Sequence, residues 1–132
     1  MSLMDVLDDI RKEVDGCYFA LCFELESSLT LGVSTDRFAS DADRISAAFG
    51  EVMGIVTDGQ RRGRNDAIRE ALNQFKELIL ETDISTFFVR APAHSKRFAV
   101  AVGVPKGVKI GFARTAIDRH NRSLIESIQG IS

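Results

Sequence analysis

The run Gly103-Val104-Pro105-Lys106-Gly107-Val108-Lys109 comes nearest to a loop that could cradle a phosphate. Such a loop needs glycines that let backbone N–H groups converge, followed by a lysine and a hydroxyl. This run fails on two counts: Pro105 has no N–H to donate, and Lys109 is not followed by Ser or Thr. A strand-to-helix turn accounts for both glycines. The two histidines, His94 and His120, fall in a turn and on a helix. No second His, Cys or carboxylate stands at the spacing a zinc site requires, so both read as surface histidines. A nucleophilic Cys17 or Cys22 would want partial exposure and a nearby base, yet both fall in a stretch expected to be buried, where free cysteine usually packs. If they share one strand, their odd and even positions turn the thiols to opposite faces, away from a mutual bond. Glu24, the odd carboxylate of an apolar strand, sits near its end and reads as solvated. No catalytic residue, metal ligand or cofactor site is expected.

Charge elsewhere is mixed. Arg61, Arg62 and Arg64 form a basic cluster, a candidate for gripping an acidic partner or phosphate, although most such clusters are solvated loop. Toward the end, Lys109, Arg114, Arg119 and Arg122 alternate with Asp118 and Glu126. Arg114 with Asp118 and Arg122 with Glu126 stand at i,i+4 spacing and read as weak helix pairs. No aromatic residues interleave for base stacking, so no nucleic-acid surface is expected.

The chain has 132 residues, a net charge of −2 and 45% hydrophobic residues. That composition excludes disorder and fits one domain over residues 1–132 with a core of its own. No apolar run approaches the ~20 residues of a bilayer span. Two unpaired thiols and no leader pattern suit a reducing cytoplasm.

The elements that must position these residues follow from periodicity. Leu3, Val6, Leu7, Ile10 and Val14 recur at helical spacing, with Ser2 and Asp5 placed for a capping box and Gly16 for the stop. Residues 16–25 are apolar on both faces, which predicts a central strand; Leu29, Leu31 and Val33 alternate with polar residues, which predicts an edge strand. A second helix is expected over residues 40–59, carrying Ile45, Phe49, Val52 and Val56 with Met53 widening the stripe, and a further helical stretch from about Asn65. Residues 76–82 and 84–91 read as a hairpin. Phe98, Val100, Val102 and Val104 then fill one face of a fifth strand whose other face is Ala99, Ala101 and Gly103, small enough to let a helix approach closely. A last helix is expected over residues 109–129. The short links between strands require antiparallel pairing, and centring the two doubly apolar strands gives an α+β fold. It is one five-stranded antiparallel sheet of order 2-1-5-4-3 with helices on both faces.

In this order of elements, Leu78-Ile79-Leu80-Glu81-Thr82-Asp83, Phe87-Phe88-Val89-Arg90, Phe98-Ala99-Val100-Ala101-Val102 and Lys109-Ile110-Gly111-Phe112-Ala113-Arg114 resemble the roadblock family of dynein light-chain and GTPase-regulatory domains. Longin and profilin-like domains share much of the layout. The resemblance implies a non-catalytic domain that homodimerises through its third strand and second helix and docks Ras-like small GTPases. Carried onto this chain, the dimer candidates are Phe49, Val52, Met53, Val56, Leu78, Ile79 and Leu80, and the partner-binding candidates are Arg61, Arg62 and Arg64. The strand over residues 76–82 fits independently: a rim strand without proline or inward lysine leaves its backbone groups open to another chain. The chain departs from the family over residues 59–75, which exceed what a compact member needs and would block helix pairing if folded over the second helix. A second class of function, a sensor of a small ligand held between sheet and helices, rests on fold analogy alone.

Overall fold

The computed structural model describes residues 2–24, 29–35, 76–83, 85–91 and 97–129. The first helix, α1 (Leu3–Glu13), begins where predicted. Asp5 donates its N–H to the Ser2 hydroxyl at 3.2 Å, and the Asp5 carboxylate accepts the Ser2 N–H at 3.1 Å. The Ser2 hydroxyl also donates to that carboxylate at 2.8 Å, and this bond first, with the Ser2 N–H second, holds the Asp5 carboxyl below its usual value; the reciprocal pair satisfies donors that a helix start leaves open. Leu3, Val6, Leu7 and Ile10 form the buried stripe of the helix. Past its end, Gly16 takes a φ of +73°, the left-handed turn that a residue with a Cβ resists.

Five strands follow: β1 (Phe19–Glu24), β2 (Thr30–Thr35), β3 (Glu77–Glu81), β4 (Ser85–Arg90) and β5 (Phe98–Pro105). They pair antiparallel in the order β2-β1-β5-β4-β3, the order read from the sequence. The two central strands fit together by size. On one face Phe19, Leu21 and Phe23 of β1 lie opposite Gly103, Ala101 and Ala99 of β5; on the other, Ala20 and Cys22 lie opposite Val102 and Val100. Each large side chain therefore meets a small one across the ladder, which keeps both faces close-packed. The small residues of β5 thus make room for β1. A Cβ on Gly103 would come within 2.4 Å of the Phe19 ring, and the Phe19 and Phe87 rings stack at 6.2 Å from either side of that strand.

The expected last helix is two: α2 (Ile110–Arg119) and α3 (Asn121–Gln129), broken at His120. The apolar spacing runs through the break, so periodicity alone reads it as continuous. With α1 these helices cover the sheet face that carries Ala20, Cys22, Phe88, Phe98, Val100, Val102 and Val104. The opposite face, with Phe19, Leu21, Phe23, Val89, Ala99 and Ala101, is equally buried. The helix expected over residues 40–59 and the stretch after it lie outside the described residues.

Candidate functional site

The third strand is the last strand at one rim of the sheet. Among the described residues β3 pairs only with β4. Leu78, Ile79 and Leu80 are 36%, 45% and 48% exposed, against a sheet interior that is almost wholly buried. Leu78 and Leu80 share the face of Val89 and Phe87, while Ile79 shares the face of Phe88, so apolar surface is presented on both sides of the ribbon. The hydrogen-bond phase fixes which backbone groups are open. Thr82 donates to the Ser85 carbonyl at 2.8 Å and Ala91 to the Lys76 carbonyl at 3.0 Å. Alternation then turns the N–H and C=O of Leu78 and Leu80 toward β4, and those of Glu77, Ile79 and Glu81 outward. The outward row is a template for another strand.

This rim is pinned from behind by charge. The Glu77 carboxylate accepts from Arg114 of α2 at 2.5 Å and 2.9 Å and also pairs with Arg90 of β4. Arg90 in turn grips Asp118 of α2 at 2.8 Å and 3.1 Å, and the Arg114 guanidinium lies 5.8 Å from the centre of the Phe88 ring. The Arg114 bond, more than any other contact, holds the Glu77 carboxyl below its usual range; Glu77 raises Arg114 reciprocally. Arg114 and Asp118, expected to pair with each other, are thus drawn to different strands. Both are within reach of each other along the helix, but β3 and β4 offer bidentate partners that a flexible i,i+4 pair does not match. Arg122 and Glu126 do pair along α3, at 3.6 Å and in solvent. The cross-element network was missed because sequence spacing reveals only partners on the same element.

Three other expectations change. Cys17 precedes β1 instead of lying within it, so the opposite-face rule does not apply and both thiols enter the same core cluster. Both cysteines are free and buried; Cys17 donates to the Phe19 carbonyl at 3.1 Å, and burial pushes the Cys22 thiol up to about 12. His120 is not a bare surface histidine. Its side chain is only 15% exposed and its Nε2 lies 2.8 Å from a carboxylate oxygen of Glu13, which also pairs with Arg119 at 3.2 Å. Glu24 is half-buried. Phe49, Val52, Met53, Val56, Arg61, Arg62, Arg64 and His94 lie outside the described residues.

No family model and no curated protein sequence matches the chain. Solved structures do. The gliding protein MglB from Thermus thermophilus superposes with a TM-score of 0.71 at 14% identity, over 97% of this chain and 89% of that one. A roadblock/LC7 domain from Streptomyces avermitilis gives 0.69 at 15% identity, over 98% and 99%. MglC from Myxococcus xanthus gives 0.59 at 10% identity, over 94% and 97%. At such identities the likeness is one of architecture: this chain has the roadblock fold.

Proposed function

We propose that the protein is a non-catalytic, cytoplasmic regulator or scaffold of a Ras-like small GTPase and that it works as a homodimer joined through β3. The observation that carries the reading is the open rim at Leu78, Ile79 and Leu80, exposed on both faces and with an unfilled outer ladder among the described residues. A second copy across a twofold axis fills such a ladder with its own, since an antiparallel pairing of like strands is self-complementary. A structure of the same fold, MglB, is described with a tetrameric arrangement, which supports self-association. The GTPase partner is what the roadblock resemblance implies. Interface chemistry also suits the groups that catalysis would have used: Cys22 is held as a buried thiol and His120 is engaged by Glu13.

Size-exclusion chromatography with light scattering, over a concentration series into the high micromolar range, tests the dimer; a strict monomer throughout would overturn it. Pull-down against a panel of Ras-like GTPases loaded with GDP or a GTP analogue tests the partner. Capture of at least one member is expected, with preference for one nucleotide state. Replacing Arg61, Arg62 and Arg64 together by Ala and finding that affinity unchanged would remove those three from the interface.

A further inference from the structure

The outward row of β3 can meet its own copy in more than one alignment, and the side chains on the strand distinguish them. Glu77, Ile79 and Glu81 turn their N–H and C=O away from β4. A twofold antiparallel pairing must set members of that row opposite one another for the bonds to form. Centring the axis on Leu78 lays Ile79 against Glu77 and Leu80 against Lys76, and carries Glu81 past the strand of the other copy. Centring it on Leu80 lays Ile79 against Glu81 and Leu78 against Thr82, where the chain already turns back to bond Ser85. Centring it on Ile79 matches the strand end to end. Ile79 then meets Ile79 on the face of Phe88, and Leu78 meets Leu80 on the face of Phe87 and Val89. Every outward group from Glu77 to Glu81 is bonded, and the three exposed apolar side chains of the strand are covered by apolar partners. The other two alignments lay apolar side chains against charged ones.

Against the Ile79-centred alignment stands charge. It sets Glu77 of each copy opposite Glu81 of the other, and like charges directly across a ladder repel. The network behind the rim answers this. The Glu77 carboxylate accepts from Arg114 through both of its oxygens and pairs with Arg90 as well, so its charge is met within its own copy. Arg114 uses Nε and one Nη nitrogen for that grip, and its side chain is still 43% exposed. Glu81 shares the face of Glu77, is exposed, and forms no ion pair among the described residues.

We infer that two copies pair with Ile79 on the twofold axis and that Arg114 is the residue that permits this register, by cancelling the charge of Glu77 where Glu81 of the second copy lies opposite. The inference rests on the dimer proposed above and adds to it an alignment and a charged side chain that tunes its strength.

Single cysteines in the full chain read the register. Residues opposite one another in a hydrogen-bonded pair lie about 5.5 Å apart at Cα, within the span of a disulfide, whereas diagonal neighbours stand about 7–8 Å apart, beyond it. Under mild oxidation Ile79→Cys should link to itself. Leu78→Cys and Leu80→Cys should each stay largely unlinked alone, and a mixture of these two should yield the mixed pair. The parent, whose Cys17 and Cys22 are buried, gives the background. Self-linking of Leu78→Cys or Leu80→Cys instead, or a dimer in light scattering that links neither at Ile79 nor as the mixed pair, would overturn the register and leave the dimer standing. A monomer in light scattering with no variant linked would overturn the dimer, and the register with it. Dissociation constants from the same concentration series read the role of Arg114. Arg114→Gln should weaken association several-fold, and adding Glu81→Gln should restore it, because no charge then faces Glu77. Arg114 also anchors β3, but lost anchoring is not repaired at Glu81, so a double variant as weak as Arg114→Gln would overturn that role.

Discussion

Gly103 has no side chain because two aromatic rings already occupy the space one would take. Phe19 and Phe87 approach over it from the flanking strands, and a Cβ there would lie 2.4 Å from the Phe19 ring. Neither ring sits at the flexible end of a surface side chain, so Gly103→Ala is expected to cost about 1–3 kcal/mol by overpacking. Gly111 is the control. Its missing Cβ would meet nothing within 4 Å and it stands in the first turn of a helix, so Gly111→Ala should gain up to about 1 kcal/mol. Chemical denaturation of both variants checks the pair, and equal effects would show that the two glycines are not distinguished by what surrounds them. The thiols give a second prediction at this scale. Cys22 is wholly buried with its thiol raised to about 12, and Cys17 is 4% exposed. A thiol reagent should therefore modify the native protein only as fast as the protein opens, and both groups should react at once in denaturant. The sequence made the burial of these residues plain through alternation. It did not reveal that small residues on β5 serve β1, because the partner of each residue is set by register, a property of two strands and not of one.

At the scale of elements, β3 is a five-residue strand that buries little and is held by charge. Glu77 joins it to β4 through Arg90 and to α2 through Arg114. Because the Glu77 carboxyl is held below its usual value of 4.5, its contribution is complete above that value and is lost as the pH falls through the lower, folded one. Glu77→Gln should accordingly be less stable than the parent at neutral pH, and the two unfolding midpoints should converge in acid. Thermal melts across that range read the difference; a gap that stays constant with pH would show that the carboxylate charge is not what anchors the strand. The elements themselves were legible: the capping box at Ser2, the doubly apolar central strands and the rim strands each follow from local pattern. The break of the last helix at His120 was not, since neither glycine nor proline marks it. The break instead accompanies a contact distant in sequence, Glu13 on α1 drawing Arg119 and His120 together.

For the whole molecule the two rims of the sheet are unequal, and the inequality bears on which rim the proposed dimer would use. β2 is the other edge, but α1 lies against it, with the side chains of Leu3 and Leu7 packed close over Gly32. β3 lacks such cover among the described residues and shows Leu80 48% exposed. Half of this candidate surface was visible in the sequence as an alternating rim strand without proline; the direction in which its backbone groups point came only from the pairing with β4. That direction yields a position-specific test. Proline is tolerated at an edge where the lost N–H faced solvent, and is disruptive where the N–H was bonded within the sheet. Ile79 turns its N–H outward and Leu78 turns its N–H toward β4. Ile79→Pro should therefore keep the circular dichroism spectrum of the parent while abolishing the dimer, whereas Leu78→Pro should damage the β3–β4 ladder and lower the melting temperature of the chain itself. If association runs through the outward ladder, light scattering separates the two variants cleanly. If Ile79→Pro still dimerises as tightly as the parent, the copies meet on some other face, and the exposed rim serves a different partner.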